Sequence, residues 1–335
     1  MKALVTGGTG FIGSHVVRTL IRKGYEVRVL IRPTSRLDNI KDQKIETVFG
    51  DLRDIDSLRR ALHGCQRLYH VAADYRLWSR NPQELYDSNV GGTENILQAA
   101  MDEKIEKVVY TSTVGAIGNI GDGTPGTEDT PVSLADMVGH YKRSKFLAEQ
   151  KALEFSKKGL FVTIVNPSAP VGSHDIKPTP TGKTILDFLN HKIPAYIDTG
   201  LNLIDVEDVA EGHWLAEQKG KSGERYILGN KNMSLKEILD LLSKLTGMPC
   251  PKIKIPYPIA LTAAYCDYVL SGIILRKEPR IPFEGVKMAK KKMFFDSSKA
   301  IRELGLPQTP VEVALEKAVK WFTENGYVKK TILNS

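Results

Sequence analysis

The sequence predicts an α/β fold in which a doubly wound parallel sheet carries a smaller, mixed C-terminal lobe. Short apolar runs alternate with helical patterns through the first half of the 335 residues, and five prolines interrupt this alternation between residues 167 and 194. Strands that alternate with helices are joined by right-handed crossovers, which makes the sheet parallel. Prolines remove backbone donors, so we expect the interrupted part to be rich in loops.

The predicted elements of the first half follow one another in a regular order. Apolar or alternating runs predict strands, and apolar residues three and four positions apart predict helices. The predicted strands are residues 3–6, 26–31, 45–49, 68–71, 108–112 and 161–165, and the predicted helices are residues 11–23, 55–62, 83–104 and 141–156. One further amphipathic helix is predicted near the C-terminus, over residues 311–325.

A glycine-rich turn, TGGTGFIG, joins the first predicted strand to the first predicted helix. We expect Gly7 to permit the tight turn, Gly10 to let the backbone approach a pyrophosphate, and Gly13 to let helix and strand pack closely. The N–H groups of Phe11, Ile12 and Gly13 would bind that pyrophosphate at the positive end of the helix dipole. Because the turn stands between a strand and a helix, it predicts a Rossmann-type dinucleotide site.

The end of the second predicted strand indicates which nicotinamide cofactor binds. NAD-binding domains place a carboxylate about 20 residues beyond the glycines, where it bonds the ribose 2′-hydroxyl. Here the chain reads IRPTSR over residues 31–36. Arg32, with Arg36 as helper, can pair with a 2′-phosphate through charge-assisted hydrogen bonds. The sequence therefore favours NADP over NAD, the alternative being that Arg32 is an ordinary surface residue.

These patterns divide the chain into two parts. Residues 1–170 are expected to form the NADP-binding Rossmann domain, and residues 203–229 to return to its sheet. Residues 171–202 and 230–330 are expected to form the substrate-binding lobe.

Tyr141 and Lys145 lie four residues apart in one predicted helix. Side chains at this spacing share a helix face, with Cβ atoms roughly 6 Å apart. A neighbouring ammonium lowers the pKa of a phenol, so we expect Lys145 to make Tyr141 an acid–base group at a substrate oxygen while a nicotinamide passes hydride. The same spacing also occurs by chance on solvated helix faces, but its position after a dinucleotide turn favours catalysis.

A strand that ends in hydroxyls precedes that helix, with Ser112 and Thr113 at its carboxyl edge. Ligands bind at this edge in open α/β sheets. Thr113 is expected to hold the substrate oxygen, with Ser112 as the second candidate. Capping of the strand end is the alternative role for either hydroxyl.

Composition limits the function classes. The net charge is +8 and the pI is about 9.1, but no nucleic-acid reader motif accompanies the basic residues, so we expect a solvated basic surface and no nucleic-acid partner. Cys65, Cys250 and Cys266 lack metal-ligand spacing, which predicts no metal site and favours a reducing cytoplasm. No secretory leader is expected, because the apolar start is too short.

One long apolar stretch covers residues 255–275. It contains Asp267, three tyrosines and two prolines, which a membrane-spanning helix would tend to exclude. We therefore expect a buried helix or a lid helix without stable membrane insertion, with loose membrane contact as the alternative.

Further motifs are the strand-end Asp51-Leu52, HVAA over residues 70–73, Asn89 in NVGGTEN, TST, YKRSK, and NPS over residues 166–168. Together with TGGTGFIG they resemble the extended short-chain dehydrogenases/reductases. Within these the chain is similar to the dihydroflavonol-reductase-like group. The stretches HVAADYRLW, GHYKRSKFLAE, VNPSAPVG and IKPTPTG resemble bacterial hopanoid-associated sugar epimerases.

The resemblance implies roles for the matching residues. Asn89 would complete the cofactor site by supporting it from its helix. Thr113, Tyr141 and Lys145 would form the catalytic set, with Lys145 also binding the nicotinamide ribose. Three further pairs would contact the adenine, the ribose and the nicotinamide in turn, namely Asp51 and Leu52, Ala72 and Ala73, and Pro167 and Ser168. Relatives often dimerise through the helices near residues 83–104 and 141–156, which implies a homodimer.

Three functions stay open on the sequence. The first is an NADP(H)-dependent reductase or dehydrogenase for a secondary alcohol/ketone pair. The second is a sugar or nucleotide-sugar epimerase linked to hopanoid biosynthesis, in which hydride is taken and returned. The third is a non-catalytic NADP-sensing regulator, against which the joint presence of Thr113, Tyr141 and Lys145 argues.

The choice between the first two depends on a diphosphate grip. Sugar-nucleotide epimerases of this superfamily tend to carry an arginine just before the stretch that here begins at Leu203, but the chain has Gly-Leu-Asn over residues 200–202. Arg280 is a candidate substitute. Tyr75, Trp78 and Tyr86 either line a pocket for a less polar substrate or pack between the lobes.

Overall fold

The structure is a computed structural model that describes residues 1–121 and 123–329, so residue 330, at the end of the predicted lobe, lies outside it. The strands are β1 Lys2–Thr6, β2 Glu26–Ile31, β3 Glu46–Phe49, β4 Arg67–His70, β5 Lys107–Thr111, β6 Val162–Pro167, β7 Ala169–Val171, β8 Ala195–Tyr196, β9 Gly200–Asp205, β10 Arg225–Leu228, β11 Lys231–Ser234 and β12 Ile253–Lys254.

The α-helices alternate with these strands in the first half. They are α1 Phe11–Arg22, α2 Ile55–Leu62, α3 Gln83–Tyr86, α4 Gly92–Asp102, α5 Gly139–Lys157, α6 Pro180–Leu189, α7 Val206–Lys219, α8 Leu235–Thr246, α9 Tyr257–Asp267, α10 Phe283–Met288, α11 Ser298–Leu304 and α12 Val311–Glu324.

Seven strands form one parallel sheet, in the order β10-β6-β5-β4-β1-β2-β3. Helices α1 and α7 pack together on one face, and α2, α4 and α5 pack in a row on the other. The prediction of a doubly wound parallel sheet is therefore confirmed. Its carboxyl edge, where β1, β4, β5 and β6 end, is the place where such sheets bind ligands.

Alternation along β1 explains how the sheet builds two cores. Ala3 and Val5 pack into the core beneath α1 and α7, whereas Leu4 packs into the core on the opposite face. Burial of a large aliphatic side chain contributes roughly 1.5–3 kcal/mol. A strand with apolar residues on both faces is thus stable only between two layers of helices.

The smaller lobe holds a mixed sheet in which β9 pairs with β11 antiparallel and with β7 parallel. Of the segment 203–229, β10 joins the main sheet next to β6, but β9 lies in this smaller sheet.

The helix predicted over residues 83–104 is interrupted. Between α3 and α4 the chain forms a wide π-helical turn, Asp87–Gly91. Such turns occur often at functional sites and accommodate an extra residue in the helix. Here the turn contains Asn89, whose contacts are described below.

The expectation of a buried helix over residues 255–275 is wrong. Helix α9 continues into a second π-helical segment, Tyr268–Ile274, and only 6% of Tyr257–Ile274 is buried. Among the described residues, this is the one helix whose length and composition would allow it to cross a membrane. Apolarity shows that a surface favours burial, but it does not show what buries it.

Candidate active site

The glycine turn between β1 and α1 is closely packed. Gly7 has a φ of 69°, and a Cβ placed on it would stand 2.6 Å from the backbone nitrogen of Ala72. A Cβ on Gly13 would stand 2.1 Å from the carbonyl oxygen of Gly7. Gly7 thus permits the turn, and Gly13 permits helix and strand to touch. A Cβ on Gly10 meets only that same oxygen, at 3.3 Å.

The start of α1 is suited to an anion. Its N-cap residue, Gly10, has no side chain that could accept hydrogen bonds from the first N–H groups of the helix. The first turn of α1 also contains no acidic residue. The N–H groups of Phe11, Ile12 and Gly13 therefore present the positive end of the helix.

The ends of β1 and β4 are tied beside this turn. The Thr6 hydroxyl accepts from the Ala72 N–H at 3.2 Å and lies 2.7 Å from Nδ1 of His70. This places Ala72, with Ala73 next to it, against Gly7. Sequence reasoning assigned Thr6 no role.

The 2′ end of the cofactor site is exposed. Arg32 follows β2, and its guanidinium makes no ion pair with any residue that the structure describes. Arg36 is engaged by Asp38, with Nε at 2.8 Å from the carboxylate, so it does not stand ready as a helper. Asp51 pairs with Arg53 at 2.7 Å, and this pairing, assisted by the nearby charge of Arg32, lowers the pKa of Asp51 to about 2.

Leu52 and Ser168 close the site at its two ends. Leu52 packs under α4, since a Cβ on Gly92 would stand 2.9 Å from the Cβ of Leu52. Ser168 follows Pro167 at the end of β6, and its buried hydroxyl has no hydrogen-bond partner among residues 1–121 and 123–329. An orphaned hydroxyl at this edge, together with the uncapped start of α1, fits a bound dinucleotide.

Lys145 does not contact Tyr141 as the sequence predicts. The amine is 2% exposed and donates to the Tyr110 hydroxyl at 3.1 Å and to the Thr111 carbonyl at 2.8 Å. Burial lowers the pKa of Lys145 to about 8. Burial also raises the pKa of Tyr141 to about 12, although its hydrogen bond with Thr113 acts in the opposite direction. The expected lowering of the pKa of Tyr141 by Lys145 is therefore wrong for this structure, because desolvation dominates and β5 takes the amine.

Thr113 has the capping role, one of the two that the sequence left open, and its role at the substrate oxygen stays a prediction. Its hydroxyl accepts from the Gly115 N–H at 3.0 Å and so caps a short 3-10 turn, Val114–Ala116. Ser112 is buried beside it.

Asn89 is a positioning residue. Its side-chain oxygen accepts from the Asp74 N–H at 2.7 Å, and its amide nitrogen donates to the Asp74 carbonyl and the Ser144 hydroxyl, each at 2.9 Å. The π-helical turn thus ties the loop after β4 to α5, next to the residues that present Tyr141.

Comparison with known proteins shows which family the chain belongs to. The sequence profile of the NAD dependent epimerase/dehydratase family matches residues 3–229. The chain belongs to this family. It is an enzyme of the extended short-chain dehydrogenase/reductase type, and the family depends on a nicotinamide cofactor.

Individual members of the family resemble the chain over nearly all of its length. It is 50% identical to a Synechocystis protein named "Putative dihydroflavonol 4-reductase", over 97% of this chain and 95% of that protein. It is 36% identical to sterol demethylase protein B of Methylococcus capsulatus, over 98% and 100%. The crystal structure of gox2253 superposes with a TM-score of 0.88 at 45% identity, covering 98% and 99%.

A buried network that the sequence did not predict lies behind α5. Asn166 donates from its amide nitrogen to Glu149 at 2.7 Å and to the Thr113 carbonyl at 3.1 Å. Burial raises the pKa of Glu149, whose charge in turn opposes the lowering of the Lys145 pKa. The spacing of four residues between Lys145 and Glu149 was an available signal, whereas Tyr110 looked like an ordinary core residue of a strand.

The predicted pocket aromatics have different surroundings. Tyr75 is close enough to Tyr141 to add to the rise in its pKa that burial causes, and the Tyr86 hydroxyl lies 3.1 Å from Nδ1 of His140. Trp78 lies in a small cleft with Tyr268 and Phe283, so it packs between the first half of the chain and the segment after α9.

Proposed function

We propose that the protein is an NADP(H)-dependent reductase that interconverts a ketone and a secondary alcohol, with Tyr141 as the acid–base residue. The arrangement that carries the proposal is the position of Tyr141 on α5 beside Thr113, which opposes the rise of the Tyr141 pKa, at the carboxyl edge that also holds the glycine turn. A phenol with a pKa of about 12 is protonated at neutral pH, so it is prepared to donate a proton to a carbonyl oxygen.

The glycine turn and the start of α1 would hold the dinucleotide, which when bound would supply the hydride needed at the carbonyl carbon. Thr113 holds the substrate oxygen, and Tyr141 donates the proton that this oxygen needs to become a hydroxyl. Lys145 would hold the nicotinamide ribose, and Thr113, which favours the ionised phenol, would stabilise the tyrosinate left behind. Oxidation of the alcohol reverses each step.

The contacts of Asn202 favour reduction over epimerisation of a nucleotide sugar. This residue stands just before Leu203, where an epimerase would carry its diphosphate grip. It is buried, and its amide nitrogen donates to the Asn232 side chain at 2.8 Å and to the Phe295 carbonyl at 3.2 Å. Arg280 lies beside Asp267, whose pKa is lowered first by the hydrogen bonds from the Ile281 N–H and the Ser271 hydroxyl and to a smaller extent by Arg280, so Arg280 already faces a carboxylate.

Two relatives guide the choice of substrate. One carries the name of a putative dihydroflavonol 4-reductase and the other that of sterol demethylase protein B. We therefore propose a large, weakly polar alcohol or ketone as the substrate, and NADP(H) as the cofactor because Arg32 is free to pair with a 2′-phosphate.

A sugar epimerase is the second candidate, favoured by the family description and by the resemblance to hopanoid-associated epimerases. It would return the hydride and consume no net cofactor. A non-catalytic NADP sensor would instead need none of the Tyr141 chemistry.

Tyr141→Phe tests the proposal, with Tyr25→Phe as the matched control. The Tyr25 hydroxyl donates to Glu217 at 2.8 Å. Tyr25 lies just before β2 and Glu217 lies in α7, so this contact involves neither α5 nor the carboxyl edge of the sheet. We expect Tyr141→Phe to lower kcat by about 10²- to 10⁴-fold while NADPH titration is unchanged. The measurement is NADPH absorbance with polycyclic ketones and, separately, with nucleotide sugars.

Unchanged turnover in Tyr141→Phe would contradict a catalytic role. Product formation from a sugar without any change in NADPH absorbance would favour the epimerase. The homodimer expected through the helices containing residues 83–104 and 141–156 stays a prediction, which sedimentation analysis checks.

A further inference from the structure

The segment from α9 through the second π-helical turn presents an outward apolar surface. Ile259, Ala263, Cys266 and Leu270 are exposed and follow one another at spacings of four, three and four residues, which places them on one side of the helix. The surface continues at the end of the segment. We call the complete set the apolar ridge, consisting of Ile259, Ala263, Cys266, Leu270, Ile273, Ile274 and Leu275.

The opposite side of the same segment is packed. Tyr268 stacks on Phe283 with ring centroids 5.4 Å apart, and a carboxylate oxygen of Asp267 accepts from the Ile281 N–H at 2.7 Å. The ridge is therefore held outward by contacts made on its inner side. A helix that is apolar on all sides normally has both sides covered.

Basic residues surround the ridge. Residues 252–292 contain nine lysines and arginines and three acidic residues, which gives six of the eight net positive charges of the chain. Arg276, Lys277 and Lys290 are exposed and make no ion pair within the described residues. An exposed apolar surface bordered by unpaired cations is complementary to an anionic lipid surface.

The part of the chain that follows this segment, from α10 to Met293, borders α5, the helix that contains Tyr141. A Cβ on Gly139, two residues before Tyr141, would stand 3.0 Å from a carboxylate oxygen of Glu284. The Lys291 amine donates to the Asn119 carbonyl at 3.0 Å, and Lys142 lies 3.6 Å from the sulfur of Met293. A membrane or a protein that covers the ridge would therefore lie close to the residues around Tyr141.

We propose that the apolar ridge lies flat in the headgroup region of an anionic bilayer and that the substrate is an apolar alcohol or ketone that enters from this bilayer. The substrate part rests on the proposed function. A flat orientation keeps the inner contacts of Tyr268 and Asp267, both of which a spanning helix would lose to lipid.

A second copy of the chain fits the ridge less well than a bilayer does. Two ridges placed face to face would bring two strongly positive segments together, and the repulsion opposes association. An anionic bilayer supplies apolar cover and counter-charge at once.

The test is co-sedimentation of the full chain with vesicles of phosphatidylcholine alone and of phosphatidylcholine mixed with phosphatidylglycerol. We expect binding to the mixed vesicles that weakens as salt screens the charges. Leu270→Glu and Ile274→Glu should each weaken the partition by more than about tenfold, and Lys277→Gln by roughly fivefold. Ile301→Glu is the matched control, because Ile301 is 39% exposed on α11, outside the ridge, and this change should leave binding intact.

Absence of binding to the mixed vesicles would overturn the proposal, and so would equal binding by wild type and Ile274→Glu. Concentration-dependent self-association that Ile274→Glu abolishes, without vesicle binding, would identify the ridge as an interface between copies and would also overturn it. NADPH titration and turnover of a water-soluble ketone are measured on the same variants. If NADPH binding and turnover are normal while vesicle binding is lost, membrane docking does not depend on the same residues as the proposed reductase function.

Discussion

The central sheet and the segment from α9 to Ile274 are both strongly apolar, yet they have opposite surroundings. Ala3, Leu4 and Val5 of β1 are fully buried between helices, whereas only 6% of Tyr257–Ile274 is buried. The apolar residues of the sheet are buried by helices of the same chain. The contrast shows that a chain can fold completely and still leave a large apolar surface for something outside it.

The largest expected effect separates two isoleucines, one from each region. Ile164 of β6 is fully buried, and Ile274 is 66% exposed. We expect Ile164→Ala to lower the free energy of unfolding by about 2–5 kcal/mol and Ile274→Ala to change it by less than about 0.5 kcal/mol. Urea denaturation measures both. Similar losses at the two positions would break the comparison by showing that the ridge is packed within the chain.

The glycine turn sharpens the picture of the first region. Gly13→Ala forces a Cβ against the Gly7 carbonyl, and we expect a loss of about 1–3 kcal/mol in the free energy of unfolding with weaker NADPH binding. Gly91→Ala is the control, since Gly91 is helical and a Cβ there meets nothing within 4 Å. It should be neutral or stabilising by up to about 1 kcal/mol. Thermal unfolding and NADPH titration of both variants check this, and an unaffected Gly13→Ala would refute the packing argument.

The buried amine of Lys145 makes the free energy of unfolding depend on pH. Its pKa is about 8 in the folded chain against the usual 10.5, so between these values the unfolded state binds the extra proton. The free energy of unfolding should therefore rise with pH, by roughly 2 kcal/mol between pH ~8 and ~10. Lys145→Met should remove this contribution, leaving that of Lys142, whose pKa burial also lowers to about 8, and should also lower kcat. Denaturation across this pH range compares wild type with the variant, and parallel curves would contradict the lowered pKa.

The smallest expected effect concerns the exposed edge of the cofactor site. Arg32→Ala should weaken NADPH binding by about tenfold and leave NADH binding unchanged, because a charge-assisted contact to the 2′-phosphate is lost. Arg36→Ala, which removes a residue already paired with Asp38, should change neither much. Fluorescence titration with both cofactors decides this, and equal losses for NADPH and NADH would remove Arg32 from the 2′ site.

The parallel sheet was predictable because its signals are local. Alternating apolar runs place β1, β2 and β5 to within a residue or two, and the strand–glycine–helix order identifies the turn at Gly7 and Gly13. The packing of both glycines follows from their lack of a Cβ. Tyr141 and Lys145 lie in one helix and Thr113 follows β5, as the sequence predicts, although their roles stay predictions.

Three features were not predictable, because each depends on a competition that is settled in three dimensions. The amine of Lys145 selects Tyr110 and Thr111 over Tyr141, and desolvation outweighs any neighbouring charge at the phenol. The π-helical turn replaces regular helix where the Asn89 side chain bonds the loop after β4. The apolarity of residues 255–275 is equally compatible with a core helix and with the exposed one observed.

The π-helical turn at Asp87–Gly91 has a consequence for how this region can vary. Removing one residue from it would restore an ordinary helix but would rotate everything on one side of the deletion by about 100° relative to the other. Tyr86 would then leave His140, or Asn89 would leave Ser144. Sequence length between α3 and α4 is therefore constrained as strongly as sequence identity, and a single deletion in this helix should disturb the catalytic helix without altering any of its residues.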